Sequence, residues 1–401
     1  MALRTVPGGV TASEDFLAAG VYCGIRQRKE DLALLFSRRP AAAAGLMTTN
    51  RVQAAPLAVT REHLADGRLR AVVANSGIAN ACTGERGLAD ARRMAELAGA
   101  ALGIPPTQVG VASTGVVGMF LPLAALEEGI PRAAGLLSRE GGAAAARAIL
   151  TTDTVSKEAA VAVELAGRHF RVGGMAKGSG MIHPELATML AFLTTDAPVA
   201  VPALRAALAW AVDRSFNCVS VDGDTSPNDL VLLLANGAAG GAQLTEEHPD
   251  FPAFREAVGQ VARELARGIA RDGEGASKLL EVTVRGAASY DQARKAARTV
   301  AASALVKAAV HGADPNWGRV AVALGYAGVD LEPERLAVAL GEVAVVRGGM
   351  PLDYDEAAAR AALEGDTVRI VADLGAGTEE ATAWGCDLSC EYVRINASYR
   401  S

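Results

Sequence analysis

The sequence is poor in aromatic residues and has no paired cysteines, and both shortages exclude classes of function. Phenylalanine, tryptophan and tyrosine make up 4% of the chain, so stacking platforms for nucleic-acid bases or sugars are not expected. The five cysteines are scattered and lack a Cys-x-x-Cys pair, which favours neither a disulfide framework nor a zinc site. The two nearest, Cys386 and Cys390, are predicted to be packing residues on a strand, roughly 13 Å apart.

The sequence also lacks an excess of basic residues and any long apolar run. The formal net charge of -6 provides no basic field for a phosphate backbone, so we expect no nucleic-acid partner. No run of roughly eighteen apolar residues occurs, and the N-terminus does not resemble a signal peptide. We therefore expect a cytoplasmic protein without a membrane partner. With 401 residues, 50% of them hydrophobic, the chain is long enough for two or three lobes with sizeable cores.

The spacing of apolar residues predicts helices and strands that alternate along the chain. Helices are predicted after Pro202 and Pro252, and a surface helix with an alanine-rich stripe over residues 91–101. The stretch 135–148 is read as either a connection or a helix. Short apolar runs bounded by Gly or Asp predict strands over residues 69–74, 318–324, 336–346 and 367–374. Because no Gly-x-Gly-x-x-Gly turn follows a first strand, the pattern favours layered α and β structure over a dinucleotide-binding fold.

Residues 173–197 differ from the rest of the chain, because they change from glycine-rich to apolar at Thr188. Small residues before this point let the backbone approach a ligand, and the residues after it predict a buried strand. Reactive groups are therefore expected at the junction. The order Lys177-Gly178-Ser179 does not match a phosphate-binding loop. His183 precedes a proline, which is more typical of a turn residue than of a general base.

By propensity alone, Thr188 is an ordinary strand threonine. However, Ala187-Thr188-Met189-Leu190 resembles the self-processing site of the ornithine acetyltransferase family, in which the bond between Ala and Thr is broken. The resemblance covers nearly the whole chain, through the runs Thr48-Thr49-Asn50-Arg51-Val52, Asn75-Ser76-Gly77, Ser113-Thr114-Gly115-Val116, Thr151-Thr152-Asp153-Thr154, Ser220-Val221-Asp222-Gly223-Asp224-Thr225-Ser226, Asp272-Gly273-Glu274-Gly275-Ala276, Asn316-Trp317-Gly318-Arg319 and Asn396-Ala397-Ser398-Tyr399-Arg400-Ser401. Departures at Ile78, Pro227 and Ser401 concern substrate contacts rather than the chemistry.

The resemblance implies a covalent mechanism. Cleavage between Ala187 and Thr188 frees an amine beside the threonine hydroxyl, so that one cut supplies both nucleophile and base. An α-amine has a pKa of about 7.7 to 8.0 and accepts protons near neutrality. Thr188 then carries an acetyl group from N2-acetyl-L-ornithine to L-glutamate in arginine biosynthesis. Thr114 and Gly115 are expected to form the oxyanion hole.

The resemblance also implies the substrate pocket. The substrate has a carboxylate and an amine, and the charges of Lys177 and Glu274 match these two groups. Without the resemblance, Glu274 would be read as a solvated carboxylate at a helix end. The remaining expected contacts are Thr188, Thr151 or Thr152, Asn396 and Ser401. The sequence leaves the choice between Thr151 and Thr152 open.

Fold and assembly follow from the same resemblance. It implies a layered α/β/β/α sandwich, cut into an α chain of residues 1–187 and a β chain of residues 188–401. Two of each are expected to form a heterotetramer that needs no cofactor or metal, while acetyl-CoA stays open as a second acetyl donor. Two alternatives are retained: a self-cleaving aminopeptidase or amidase with water as the acceptor, and an inactive relative that binds amino acids and stays uncut.

Overall fold

The computed structural model describes residues 2–165, 167–183 and 189–398. Within them the chain forms sixteen β-strands and eleven α-helices. The strands are β1 (Ala2–Thr5), β2 (Phe16–Val21), β3 (Leu32–Met47), β4 (Arg68–Ile78), β5 (Val109–Val116), β6 (Lys157–Leu165), β7 (Arg168–Lys177), β8 (Leu190–Thr195), β9 (Val219–Ser220), β10 (Leu230–Ala235), β11 (Leu279–Ala287), β12 (Ala337–Leu340), β13 (Val343–Arg347), β14 (Met350–Pro351), β15 (Thr367–Asp373) and β16 (Glu379–Cys386). The helices are α1 (Ala55–His63), α2 (Gly84–Leu102), α3 (Leu123–Gly135), α4 (Gly142–Ala148), α5 (Val201–Asp213), α6 (Phe251–Arg271), α7 (Tyr290–Ala302), α8 (Ala304–His311), α9 (Trp317–Gly325), α10 (Glu356–Ala361) and α11 (Cys390–Ser398).

The larger sheet has nine strands among the described residues, in the order β1-β6-β7-β8-β10-β3-β4-β5, with β2 also paired to β3. At its centre β8 and β10 run parallel, with Leu190 opposite Leu230. Both strands are buried along their whole length, and their largely apolar sequences suit strands that are covered on both faces. Since β7 pairs antiparallel with β8, Lys177 lies opposite Leu190.

The smaller sheet comes entirely from the chain after residue 188. Its seven described strands follow the order β14-β13-β12-β15-β11-β16-β9. Helix α6 contacts both sheets, and its apolar stripe lies in one core with Val172 of the larger sheet and Val282 of the smaller one. The expected α+β sandwich of helices and sheets is therefore confirmed.

The predictions that rest on long periodic patterns are confirmed. The helices expected after Pro202 and Pro252 are α5 and α6, and both prolines lie in the first turn, where a missing N–H costs no hydrogen bond. The helix expected over residues 91–101 is part of α2, with Ala91, Met94 and Ala98 buried. The strand predicted over residues 69–74 lies within β4, the one predicted over residues 367–374 is β15 and extends one residue beyond it, and the apolar run after Thr188 forms β8.

Two short apolar runs were assigned wrongly. The strand predicted over residues 318–324 is helix α9, in which Val320 and Leu324 are buried while Val322 is exposed. That spacing suits a helix. A run this short does not distinguish the helical repeat of apolar residues from the alternating repeat of a strand. The single strand predicted over residues 336–346 is a hairpin of β12 and β13, because the chain reverses at Gly341 with φ +56°.

The cysteine prediction is wrong for one of the two residues. Cys386 ends β16 and is buried, but Cys390 begins α11 and is exposed. In the ambiguous stretch 135–148, helix α4 occupies the second half. Among the described residues, no helix combines the length and the apolar composition that crossing a membrane requires.

Candidate active site

A cavity of about 150 Å³ lies where β5 and β7 end. Seven of the residues predicted from the sequence line it: Thr114, Gly115, Thr151, Thr152, Lys177, Glu274 and Asn396. They come from β5, the 149–156 loop, β7, the loop after α6, and α11, so only the folded chain brings them together. The other predicted site residues, Ala187, Thr188 and Ser401, lie outside the described residues.

The end of β5 has a backbone that requires glycine. Gly115 has φ +132°, and a Cβ there would lie 2.2 Å from the carbonyl carbon of Gly77, so no side chain fits. The Ser113 hydroxyl donates to Asn75 Oδ1 at 2.6 Å, and Asn75 Nδ2 donates to the Ile78 carbonyl at 2.9 Å. The strand end that carries Thr114 is therefore held in place beside the cavity, as fixed oxyanion donors require.

Lys177 presents a buried ammonium group to the cavity. Its side chain is 3% exposed, and Nζ donates to Thr151 Oγ1 at 2.7 Å and lies 3.5 Å from Thr114 Oγ1. Burial lowers the pKa of Lys177, and the Asp153 carboxylate, 3.8 Å away, opposes that shift. A desolvated cation between two hydroxyl groups is suited to binding a carboxylate.

Lys177 belongs to a buried ion chain made of Lys177, Asp153, Lys157 and Asp272. Asp153 Oδ1 accepts from Lys157 Nζ at 2.6 Å, and Lys157 Nζ also donates to Asp272 Oδ2 at 2.5 Å. Although burial raises the pKa of Asp153, Lys177 and Lys157 hold it well below its usual range. Two cations and two anions alternate, so each buried charge has a partner of opposite sign.

Glu274 forms the opposite wall and is buried, at 8% exposure. Asn396 Nδ2 donates to Glu274 Oε2 at 2.7 Å, and the Glu274 amide donates to the Ser179 carbonyl at 3.0 Å. Gly180 lies directly beneath the carboxylate. Glu274 is therefore a buried carboxylate and not a solvated residue at a helix end. Through Asn396, the described part of α11 folds back onto the site.

Five more polar residues line the cavity and were assigned no role from the sequence: Asp222, Asp224, Ser226, Asn228 and Tyr392. Asp222 accepts from the amides of Met181 at 2.6 Å and Ile182 at 2.9 Å, and burial raises its pKa. Burial and the nearby carboxylates raise the pKa of Tyr392 to about 12. Tyr392 precedes Asn396 by one helical turn, and this i, i+4 spacing is a signal that could have found it.

The wall of the cavity reaches the point where the described chain resumes after residue 188. Asn228 Nδ2 donates to the carbonyls of Ala79 at 2.7 Å and Ser113 at 2.8 Å. The next residue, Asp229, accepts from the Met189 amide at 2.8 Å through Oδ1. Met189 is the residue after the predicted nucleophile in the chain, so one wall residue, Asn228, is the sequence neighbour of a residue that binds Met189.

His183 is not among the residues that line this cavity. Its Nδ1 lies 3.2 Å from Ser220 Oγ, a contact that suits a turn residue. Within the described ranges, no three His, Cys, Asp or Glu side chains converge in a way that would hold a metal ion.

Comparison with known proteins places this site in a family. The model described as "ArgJ family" matches residues 17–401. An arginine biosynthesis bifunctional protein ArgJ from Symbiobacterium thermophilum is 56% identical over 402 aligned residues, covering 100% of both chains. A relative of the same name from Synechococcus sp. is 50% identical, covering 99% of both. The chain belongs to the ArgJ family. It is an acyltransferase of arginine biosynthesis, and the expected enzyme class, a glutamate N-acetyltransferase, is confirmed.

Two solved structures are also similar. The crystal structure of the ArgJ protein from Bacillus halodurans matches with a TM-score of 0.50 and 44% identity, covering 51% of this chain and 97% of that one. An ornithine acetyltransferase from Mycobacterium tuberculosis, solved with ornithine, matches with a TM-score of 0.43 and 43% identity, covering 46% of this chain and 98% of that one.

Proposed function

We propose that the chain cuts itself between Ala187 and Thr188, and that Thr188 then transfers an acetyl group from N2-acetyl-L-ornithine to L-glutamate. One observation carries this proposal: Lys177 and Glu274 line a cavity together with Asn228, and the residue after Asn228 binds the amide of Met189, which follows Thr188 in the chain. The fixed end of β5 lines the same cavity. Membership of the ArgJ family supports the same reaction.

The length of a solved relative supports the cleavage. Residues 188–401 are 214 of 401 residues, which is 53% of the chain. The Bacillus halodurans structure is 97% covered by a match that spans 51% of this chain. A chain of that length is what one piece of a protein cut near its middle would be.

The transfer needs a base and a stabilised oxyanion. The amine freed at Thr188 takes the hydroxyl proton, and the hydroxyl oxygen attacks the acetyl carbonyl. The negative oxygen that develops accepts hydrogen bonds from the Thr114 hydroxyl and the Gly115 amide. Loss of one such donor typically costs about a hundredfold to a thousandfold in rate.

The two charged walls orient the substrate. The α-carboxylate of acetylornithine binds Lys177, and its side-chain ammonium binds Glu274, which Asn396 holds in place. We assign Thr151 rather than Thr152 to the carboxylate end, because the Thr151 hydroxyl already contacts Lys177. Ser401 completes the contacts in this proposal.

Glutamate enters after ornithine leaves and accepts the acetyl group in a ping-pong sequence. The relatives carry the word bifunctional in their names, so we include acetyl-CoA as a second acetyl donor. We further propose that the two pieces stay together, pair into a heterotetramer and act in the cytoplasm.

A denaturing gel of the purified protein beside Thr188→Ala tests the cleavage. Dividing 41.0 kDa in proportion to 187 and 214 residues gives bands of about 19 and 22 kDa for the wild type. The variant, which lacks the hydroxyl nucleophile, should give one band at full length. An uncut wild-type chain would contradict self-cleavage and favour an inactive amino-acid-binding relative.

The acceptor is tested on the same preparation with acetylornithine, with and without glutamate, and with acetyl-CoA and glutamate. Release of ornithine that depends on glutamate supports acetyl transfer. Equal release without glutamate would instead indicate an amidase that uses water.

A further inference from the structure

Self-cleavage requires a proton acceptor that the uncut chain must supply from elsewhere. The amine proposed as the base in the mature enzyme is still an amide nitrogen before the cut. An amide nitrogen does not accept the hydroxyl proton of Thr188, so another group near residue 188 must do so.

Asp229 is a buried carboxylate beside this point. It is 0% exposed and directly precedes β10. Its Oδ1 accepts from the Met189 amide at 2.8 Å, while its Oδ2 is buried and has no hydrogen-bond partner among the described residues. The neighbouring Thr48 hydroxyl donates instead to the Ser226 carbonyl at 2.8 Å. A buried carboxylate oxygen without a partner is costly, which points to a function for Oδ2.

Asp229 binds a backbone nitrogen that is covalently attached to Thr188. The Met189 nitrogen, which Asp229 binds, is bonded to the carbonyl carbon of Thr188. Standard bond lengths keep the hydroxyl oxygen and the nitrogen of a residue within about 5 Å of the nitrogen of the next one. Because Oδ1 binds this nitrogen, Oδ2 of the same carboxylate is a buried acceptor without a partner beside a residue that adjoins Thr188 in the chain.

We propose that Asp229 accepts the hydroxyl proton of Thr188 when the chain cuts itself, an inference that rests on the self-cleavage proposed above. The hydroxyl oxygen bonds to the carbonyl carbon of Ala187 as its proton moves to Asp229 Oδ2. The bond from that carbon to the Thr188 nitrogen then breaks, and the nitrogen takes the proton back. The products are an ester and a free amine. Water hydrolyses the ester, which releases the Ala187 carboxylate and restores the hydroxyl.

The electrostatics of the site suit this role. Burial raises the pKa of Asp229 well above its usual value, and the Met189 amide, the Thr48 side chain and the charge of Lys177 on β7 oppose that shift. A carboxylate with a raised pKa is a better proton acceptor in its ionised form. Because the protonated form accepts nothing, self-cleavage should slow as the pH falls through the raised pKa of Asp229.

Asp229→Asn is the decisive variant, since the amide oxygen can still accept from Met189 but the side chain is no longer basic. Full-length chains are made by cell-free translation, and the cut fraction is followed on a denaturing gel. We expect cleavage to slow by about a hundredfold or more, the usual contribution of general base catalysis. Asp196→Asn is the matched control. Asp196 is also buried, but its two carboxylate oxygens accept from the backbone amides of Glu14 at 2.9 Å and Arg171 at 2.7 Å, so both oxygens have partners. The Asp196→Asn chain should cut itself at the wild-type rate.

The pH profile separates proton transfer from a structural role. The wild-type cleavage rate should level off above the pKa of Asp229, whereas the rate of Asp229→Asn should keep rising with hydroxide concentration. Cleavage of Asp229→Asn at the wild-type rate, or with the wild-type plateau, would overturn the inference and leave self-cleavage intact. A wild-type chain that stays uncut would instead contradict the proposed function itself. If Asp229→Asn loses its native circular dichroism spectrum, Asp229→Glu decides: a retained plateau supports the inference, and its loss overturns it.

Discussion

Two glycines shape the cavity, each for a different physical reason. Gly115 adopts φ +132°, where side chains are strained. Gly180 has no such backbone requirement, but a Cβ there would lie 2.5 Å from the Glu274 carboxyl carbon. The first glycine is needed for the backbone itself and the second for the position of a neighbouring charge. Their substitution should therefore affect different properties of the enzyme.

Gly180→Ala should weaken substrate binding. The added methyl group pushes the Glu274 carboxylate away from the cavity, and a hydrogen bond to a charged group is worth about 1.5 to 3 kcal/mol. We expect the KM for acetylornithine to rise about tenfold or more, with self-cleavage unchanged. Steady-state kinetics and a denaturing gel measure the two effects.

The control for this substitution is Gly135→Ala at the end of α3, where an added Cβ has no neighbour within 4 Å. It should leave the KM unchanged. A wild-type KM in Gly180→Ala would show that Glu274 does not contact the substrate.

At the scale of elements, the buried ion chain joins three segments that are distant in sequence. Asp153 precedes β6, Lys157 begins β6, Lys177 ends β7, and Asp272 follows α6. The Asp153 Oδ1 atom also accepts from the Gly178 amide at 2.7 Å. One carboxylate thus fixes the end of β7 and the orientation of the cation that faces the cavity.

Asp153→Asn should destabilise the fold, because it removes the carboxylate that pairs with both Lys157 and Lys177 and leaves Asp272 as the remaining anion of the ion chain. Breaking a buried ion pair on one side costs about 3 to 5 kcal/mol. Since the pKa of Asp153 is lowered in the fold, its stabilising contribution is present above about pH 3.9 and is lost as the pH falls through the folded-state pKa. Urea unfolding at neutral pH measures the loss.

A surface ion pair provides the comparison for that measurement. Asp291 is 79% exposed and pairs with Arg294 at 3.3 Å, so Asp291→Asn should cost less than about 1 kcal/mol. Equal losses in the two variants would mean that the buried ion chain contributes no more than a surface contact.

The elements that were predictable differ from the others in length. Helix α6 repeats its apolar positions over five turns, and that pattern is incompatible with a strand. The run over residues 318–324 is too short to show whether its apolar residues repeat as in a helix or as in a strand. In the folded chain it is helical, with one face buried. Likewise, the turn at Gly341 divides residues 336–346 into two strands because φ +56° is available to glycine. Local pattern is sufficient only when it is long enough to exclude the alternative.

At the scale of the whole molecule, the two proposed pieces share a sheet. Strand β7 pairs with β8, and β3 pairs with β10, so the two strands from after residue 188 lie between two groups of strands from before it. Side chains from both sides also lie in one core. Separation of the pieces would expose that core to water.

The cleaved pieces should therefore elute together from a size-exclusion column in native buffer, at the volume of the uncut Thr188→Ala protein. In concentrated guanidinium chloride they should elute apart, whereas the variant remains one species. Two native peaks from the cleaved wild type would contradict the shared core.

The sequence by itself determined the class of fold, the long helices, and the glycine-rich to apolar junction at Thr188. Through resemblance to a family it also identified the residues that line the cavity. These properties depend on local periodicity and on motifs that can be read along the chain. Tertiary structure decided which distant groups meet: Tyr392 with Asp222, the four members of the buried ion chain, and Asp229 with Met189. Such contacts depend on strand order and register, and burial then sets the charge and basicity of each group.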